Sequence, residues 1–365
     1  MLKQNLLDLS FEELKLFCLY NGLPKFKATQ IWKWMYCFGI KSFDDMTNIS
    51  KFEKDLLSKI SVIPRLKVSE MKQSIDGTIK WLIKLKDDAE IETVFIPQDD
   101  RGTVCLSSQV GCTLNCSFFH TGTQGLVRNL STSEIIGQLL VVMDYLKDWP
   151  SAKNARKVTN IVMMGMGEPL LNYEPVSKSI KIMMSDHGIC ISRRRITLST
   201  SGIVPIINRA GIDLGINLAI SLHAVNDELR NKLVPINKKY NLAQLIDACK
   251  NYPNLSNSRR ITWEYVMLKD INDTTEDAKK LVELISGIPS KINLIPFNPW
   301  PGAKFETSTS KKINNFAKII MDSGFASPIR QTRGQDIFAA CGQLKSETVK
   351  IRRSQQNRLL PLYDV

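Results

Sequence analysis

Residues 111–125 read GCTLNCSFFHTGTQG, with Cys112 and Cys116 four apart in a loop rich in Gly and Thr. Three thiolates in the pattern C-x-x-x-C-x-x-C each bind one iron of a [4Fe-4S] cluster and leave the fourth iron open to a non-protein ligand. Here the third position is Phe119, which has no donor atom. His120 carries a donor but stands one residue out of register. Taken alone, the cysteine pair reads as two unrelated thiols or as half of a zinc site.

The elements around this loop give it a context. From Thr103 onward a unit recurs in which a short β-branched run is followed by a polar or Gly-rich loop and then an amphipathic stretch of helix length. TVCLSSQ, TNIVMMG, RITLSTS, GINLAISLH, ITWEYVML, INLIP and SPIRQTR are the expected strands. SEIIGQLLVVMDYLKD, EPVSKSIKIMM, EDAKKLVELIS and SKKINNFAKIIMD are expected helices between them. Alternation of this kind predicts parallel strands with helical crossovers, in a complete or partial β/α barrel or an open doubly wound sheet. Gly165, Glu168, Ser199, Ser221, His223 and Asn298 all fall at or beyond the C-terminal end of a strand, where β/α proteins place their sites. Several strands contribute, which favours a ring of strands around one site. The turn GMGEP (Gly165 to Pro169) lets backbone approach a ligand and places Glu168 to meet an ammonium group.

Ahead of the barrel, FEELKLFCLY and ATQIWKWMYCFGI have helical spacing, broken at NGLP and SFDDMTNIS, and predict a small helical domain. GTIKWLIKL, a turn at Lys86 to Asp88, and AEIETVFIP alternate as a hairpin does. The expected organisation is a helical accessory domain over 1–70, a hairpin linker packing on the barrel over 71–102, the barrel over 103–345 and a basic extension over 346–365.

The chain has 49 Lys and Arg against 36 Asp and Glu, a net charge of +13. Such a balance favours a polyanionic partner, because basic side chains release counterions from phosphates. Basic residues recur at Arg193, Arg194 and Arg195, at Arg259 and Arg260, and at Arg352, Arg353 and Arg358. Arg101, the Arg193 to Arg195 run and the C-terminal extension are candidates to track the phosphates of a nucleic acid, and charge alone does not say which. No apolar run approaches the length of a membrane span, and MLKQNLLDLS lacks the apolar core of a signal peptide, so a cytoplasmic protein is expected. Eight cysteines in a chain of 365 do not make a disulfide framework. Cys18, Cys37, Cys190 and Cys249 sit among apolar or helical residues and are expected in the core, which leaves Cys105, Cys112, Cys116 and Cys341 to explain.

The cysteine loop after the first barrel strand, with GMGEP after the next, resembles the radical S-adenosylmethionine (SAM) superfamily. ETVFIP, GTVCLSSQVGC, MGMGEPLLNY, TLSTSG, ISLHA, LIPFNP, RGQDIFAACGQL, GLPKFKATQIWKWMY and MTNISK extend the resemblance along nearly the whole chain. Together they look like the radical-SAM methyltransferases that modify C2 of adenine in 23S ribosomal RNA and, in the dual-specificity branch, in tRNA. The resemblance implies a partial (β/α)6 barrel with a small helical N-terminal RNA-binding accessory domain, and a monomer served by an electron donor for a [4Fe-4S] cluster. It implies that Cys112 and Cys116 are cluster ligands and that Gly167, Glu168, Ser199, Ser221, Leu222, His223 and Asn298 hold SAM.

The resemblance also implies covalent catalysis, since adenine C2 is electrophilic and cannot attack a SAM methyl directly. Cys341 accepts a methyl from one SAM; a second, cleaved reductively, yields a 5′-deoxyadenosyl radical that activates the methylthioether for addition to C2. Cys105 takes the C2 proton as Cys341 leaves through a disulfide, with Glu92 as the proton-transfer residue. Family members have cysteine where this chain has Phe119. The expectation is therefore a methyltransferase framework that binds iron poorly and does not turn over. The alternatives are a non-catalytic RNA-binding or ribosome-associated protein, and then a zinc site at Cys112 and Cys116.

Overall fold

The computed structural model describes residues 3–151 and 156–346. Arg352, Arg353, Arg358 and nearly all of the expected basic extension lie outside the described residues.

A nine-stranded sheet organises the chain. In chain order its strands are β1 (Lys67–Gln73), β2 (Ile79–Lys84), β3 (Glu90–Gln98), β4 (Arg101–Cys105), β5 (Asn160–Met163), β6 (Ile196–Thr200), β7 (Asn217–Ser221), β8 (Ile261–Met267) and β9 (Ser290–Pro296). They lie side by side in sequence order. From β4 to β9 all six are parallel, whereas β1 to β4 pair antiparallel. This is the expected partial (β/α)6 barrel. The expected hairpin, β2 and β3, continues the barrel's own sheet, and β1 adds a third strand ahead of it.

The strand expected from SPIRQTR forms only two isolated parallel bridges, Lys291 to Ala326 and Leu294 to Ile329. Pro328 sits between them; its ring removes one donor from the ladder, although its carbonyl still accepts from Leu294 N at 3.0 Å.

The helices begin with α1 (Phe11–Tyr20), α2 (Lys25–Tyr36) and α3 (Lys51–Ile60), which form the N-terminal helical unit. Ser10 and Ser50 open α1 and α3 with capping boxes closed by Glu13 and Glu53. The crossovers carry α4 (Thr132–Leu146), α5 (Tyr173–Met184), α6 (Val204–Leu214), α7 (Asp227–Leu233), α8 (Leu242–Lys250), α9 (Thr275–Leu284) and α10 (Ser310–Asp322). Helix α4 is buried from Ile135 to Met143, with apolar residues on every face. A helix of that kind needs cover on both sides. The N-terminal unit gives it cover: Asp8 caps the start of α4 by accepting from Ser133 N at 2.7 Å, and Trp32 donates to Ser185 just beyond α5 at 3.0 Å. Lys178 of α5 pairs with Glu13 at 2.8 Å. Among the described residues, no helix is long and apolar enough to cross a membrane.

Of the four cysteines expected in the core, Cys18 and Cys249 are buried and Cys37 is half-buried. Cys190 is exposed, which corrects that expectation. It has a left-handed backbone, φ 59°, in the turn between α5 and β6, so its side chain leaves the apolar layer.

Candidate active site

Strands β4 to β7 end in Cys105, the turn Met164–Gly167, Ser199–Ser201 and Ser221–His223. The ends are tied together by buried side chains. Gln138 of α4 accepts from Thr93 Oγ1 at 2.7 Å and from Ser107 N at 2.8 Å, and donates back to Ser107 O at 3.0 Å. Arg230 of α7 is fully buried and donates to Leu222 O, Ser201 O, Ser221 O and Asn237 Oδ1 at 2.7–3.1 Å. One guanidinium thus satisfies three carbonyls at the ends of two strands, β6 and β7. Burial lowers its pKa to about 10, and it stays charged at neutral pH.

At these ends a cavity is lined by Cys112, Cys116, Phe119, Gly167, Glu168, Ser199, Ser221, His223, Glu264 and Cys341, among others. Gly167 has φ +97°, and a Cβ there would stand 2.5 Å from Gln109 Cβ, so only glycine lets this turn close on the cysteine loop's root. The Glu168 carboxylate is buried and accepts from Ser201 N at 2.9 Å and Leu170 N at 3.1 Å. Burial pushes its pKa up to about 7, against the pull of those amides.

His223 is buried, with φ 60°. Its Nδ1 accepts from Val266 N at 3.1 Å, which assigns the ring proton to Nε2. That Nε2–H is buried and finds no protein acceptor. Burial pushes the ring's pKa down to about 3, so the ring is neutral.

Cys341 is half-buried and Cys105 buried; both thiols are free. Burial pushes Cys105 up to about 12, and the neighbouring Cys341 adds to that. Burial also raises Cys341, while the nearby Arg330 guanidinium favours its thiolate and Glu264 disfavours it. Glu264 and Arg330 were not singled out from the sequence. A lone carboxylate in the otherwise apolar run ITWEYVML was the available signal for Glu264; Arg330 had none, since it lies within SPIRQTR, a run that does not form its expected strand.

Four expected site residues sit behind the cavity wall: Cys105, and with it Asn298, Leu222 and Glu92. Asn298 donates to Cys341 O at 3.1 Å and accepts from Thr332 at 3.0 Å, holding the Cys341 backbone. Leu222 is fully buried, with its N donating to Glu264 O at 3.0 Å. Glu92 is buried in β3, paired with Lys80 at 2.7 Å, and accepts from Lys345 N at 2.8 Å. Burial raises its pKa and Lys80 opposes the rise. Arg101 is an exposed residue at the start of β4 and donates to Gln98.

The dual-specificity RNA methyltransferase RlmN of Acidiphilium cryptum is 55% identical over 349 residues, covering 94% of this chain and 90% of that relative. The chain belongs to the RlmN family. RlmN of Bartonella tribocorum is 53% identical over 375 residues, covering 98% of this chain and 92% of its own length. Residues 4–63 match the ribosomal RNA large subunit methyltransferase N-terminal domain, and residues 106–285 match the radical SAM superfamily. A solved radical SAM methyltransferase from Sphaerobacter thermophilus superimposes with a TM-score of 0.87 at 40% identity, covering 94% of this chain and all of that one.

A radical SAM family implies a [4Fe-4S] cluster and SAM. The cavity's residues fit SAM: Glu168 offers a carboxylate to an amine, His223 Nε2–H lacks an acceptor, and Gly167 keeps the wall clear of a side chain. They do not fit a cluster bound by three thiolates. Cys112 and Cys116 are present, and burial pushes them to about 11 and 12. At the third position the Phe119 ring packs edge-on to Phe118 and His223, with centroids 4.4 and 5.8 Å away. His120 does not replace the thiol. Its ring stacks on Trp300 at 4.8 Å with Nδ1 3.3 Å from Gln343 O, and it is absent from the cavity wall.

Proposed function

We propose that this chain carries the methyl-relay residues of an RlmN-type methyltransferase directed at C2 of adenine in 23S rRNA and tRNA, and that Phe119 holds it inactive. The observation that supports this reading is that Cys341 lines the cavity with Glu168, Ser199 and His223, while Cys105 and Arg330 lie close enough behind it to act on its charge. When bound, SAM supplies an electrophilic methyl on a sulfonium sulfur. In this reading Cys341 accepts it. Its sulfur needs to be a thiolate to do so, burial opposes that, and Arg330 favours it. Cys105, beside Cys341, must be a thiolate to take the C2 proton; burial opposes that and Arg330 favours it. Glu92 accepts from Lys345 N, four residues past Cys341, and is the residue to which this reading gives proton transfer.

With two thiolate ligands, the chain as it stands binds RNA without turnover. The second reading, RNA binding as its whole role, is favoured by how well Phe119 packs. Installing cysteine separates the two: Phe119→Cys, supplied with iron, sulfide and an electron donor, restores 2-methyladenosine on tRNA transcripts if the relay is intact. A Phe119→Cys chain that takes up a full cluster but leaves adenine unmodified contradicts the first reading.

A further inference from the structure

At the opposite end of the barrel, the N-terminal ends of β6 to β9 surround a second cavity of about 600 Å³. Its wall includes Arg193, Arg194, Arg259, Arg260 and Lys291, with Asn, Ser and Thr between them and no Asp or Glu. Among the described residues, no carboxylate lies within 4.0 Å of any of these five cations. Two of them converge. A Cβ on Gly215 would stand 3.5 Å from Arg193 Nη1 and 3.8 Å from Arg259 Nη2. Arg259 is fixed by donating to Ile216 O at 2.8 Å and by lying 5.9 Å from the Tyr252 ring. Arg195, the third residue of the run, is not part of the wall and turns to Asn160 at 3.3 Å.

Like charges gathered in one cavity, with no counter-charge against them among the described residues, mark a site whose missing partner is an anion. Guanidinium forks match phosphate oxygens in pairs, and the intervening amides and hydroxyls supply neutral donors. The wall carries no large apolar side chain on which a base would stack, which favours a backbone phosphate over a nucleobase. We propose that this cavity binds consecutive phosphates of the substrate RNA, about 20 Å, one strand length, from the cysteine cavity. The inference rests on the RNA-modifying reading above and adds a contact on the far face of the barrel, made by RNA outside the reacting loop.

The test uses the full chain with Arg193, Arg260 and Lys291 all changed to Gln; Arg259 is kept because it anchors Ile216. A single Lys291→Gln variant, on an exposed strand residue, covers the case in which the triple variant fails to fold. Binding of a tRNA transcript is followed by fluorescence anisotropy across a salt series, with pyrophosphate as a small-anion probe read by thermal shift. The expected result is a slope of log K against log salt reduced by about 2 in the triple variant and by about 0.7 in the single one. An unchanged slope and affinity in folded variants overturns the proposal, including when pyrophosphate still stabilises the parent, since the cavity then serves a small anion. A parent chain that binds no RNA at all overturns the RNA-modifying reading instead.

Discussion

The ring of Phe119 lies against Gly342, the residue after Cys341: a Cβ on Gly342 would stand 2.5 Å from Phe119 Cδ1. The two segments are also laced together by backbone, with His120 N donating to Gly342 O at 2.7 Å and Thr121 Oγ1 donating to Leu344 O. The cysteine loop and the segment carrying Cys341 are therefore packed as one unit, with the aromatic ring of Phe119 between them.

That contact predicts a coupling. Gly342→Ala costs about 2 kcal/mol in the parent chain, from the positive φ of +85° and from the ring together. In a Phe119→Cys background only the backbone strain remains, about 1 kcal/mol. Urea unfolding of the four proteins gives the cycle, and identical losses in both backgrounds mean that the ring does not press on position 342.

Arg230→Met leaves the carbonyls of Ser201, Ser221 and Leu222 buried without a donor. The expected loss is at least about 3 kcal/mol, and Arg230→Lys does not rescue it, because an ammonium cannot span the same acceptors. A loss under about 1 kcal/mol in urea unfolding shows that the strand ends are held by other means.

His223 makes stability depend on pH. Its folded pKa, about 3, lies below the ordinary 6.5, so the unfolded chain binds the extra proton between those values. Stability is therefore full above pH 6.5 and falls on acidification, by about 2 kcal/mol at pH 5. Glu168 acts in the opposite sense: its folded pKa of about 7 exceeds the ordinary 4.5, so its contribution is lost as pH rises between them. The comparison is thus made in a Glu168→Gln background, where His223→Gln flattens the remaining slope between pH 5 and 6.5. A slope unchanged by His223→Gln contradicts the neutral, buried ring.

The six parallel strands were legible because each is a β-branched run followed by polar residues at its C-terminal end. Strand β1, KVSEMKQ, was not: all seven residues are exposed on the sheet's edge, so no alternation marks it. The bridges around Pro328 show the reverse, a strand-like run that a proline keeps from joining the ladder. Cys112, Cys116, Glu168, Ser199, Ser221, His223 and Cys341 do meet at one cavity. Composition could not place the basic run at the other end of the barrel, because Arg193 and Arg259 are 66 residues apart and meet only through the sheet. Nor could spacing reveal that Asn298 and Glu92 act through backbone, on Cys341 O and Lys345 N.

The central claim is that Phe119 alone separates this chain from a working cluster site. Anaerobic reconstitution with iron and sulfide, followed by metal and sulfide analysis and by an assay for 5′-deoxyadenosine, tests it most directly on the parent and on Phe119→Cys. The account predicts well under four irons per chain and no SAM cleavage for the parent, and close to four irons with cleavage for the variant. A parent chain that holds four irons and cleaves SAM contradicts it.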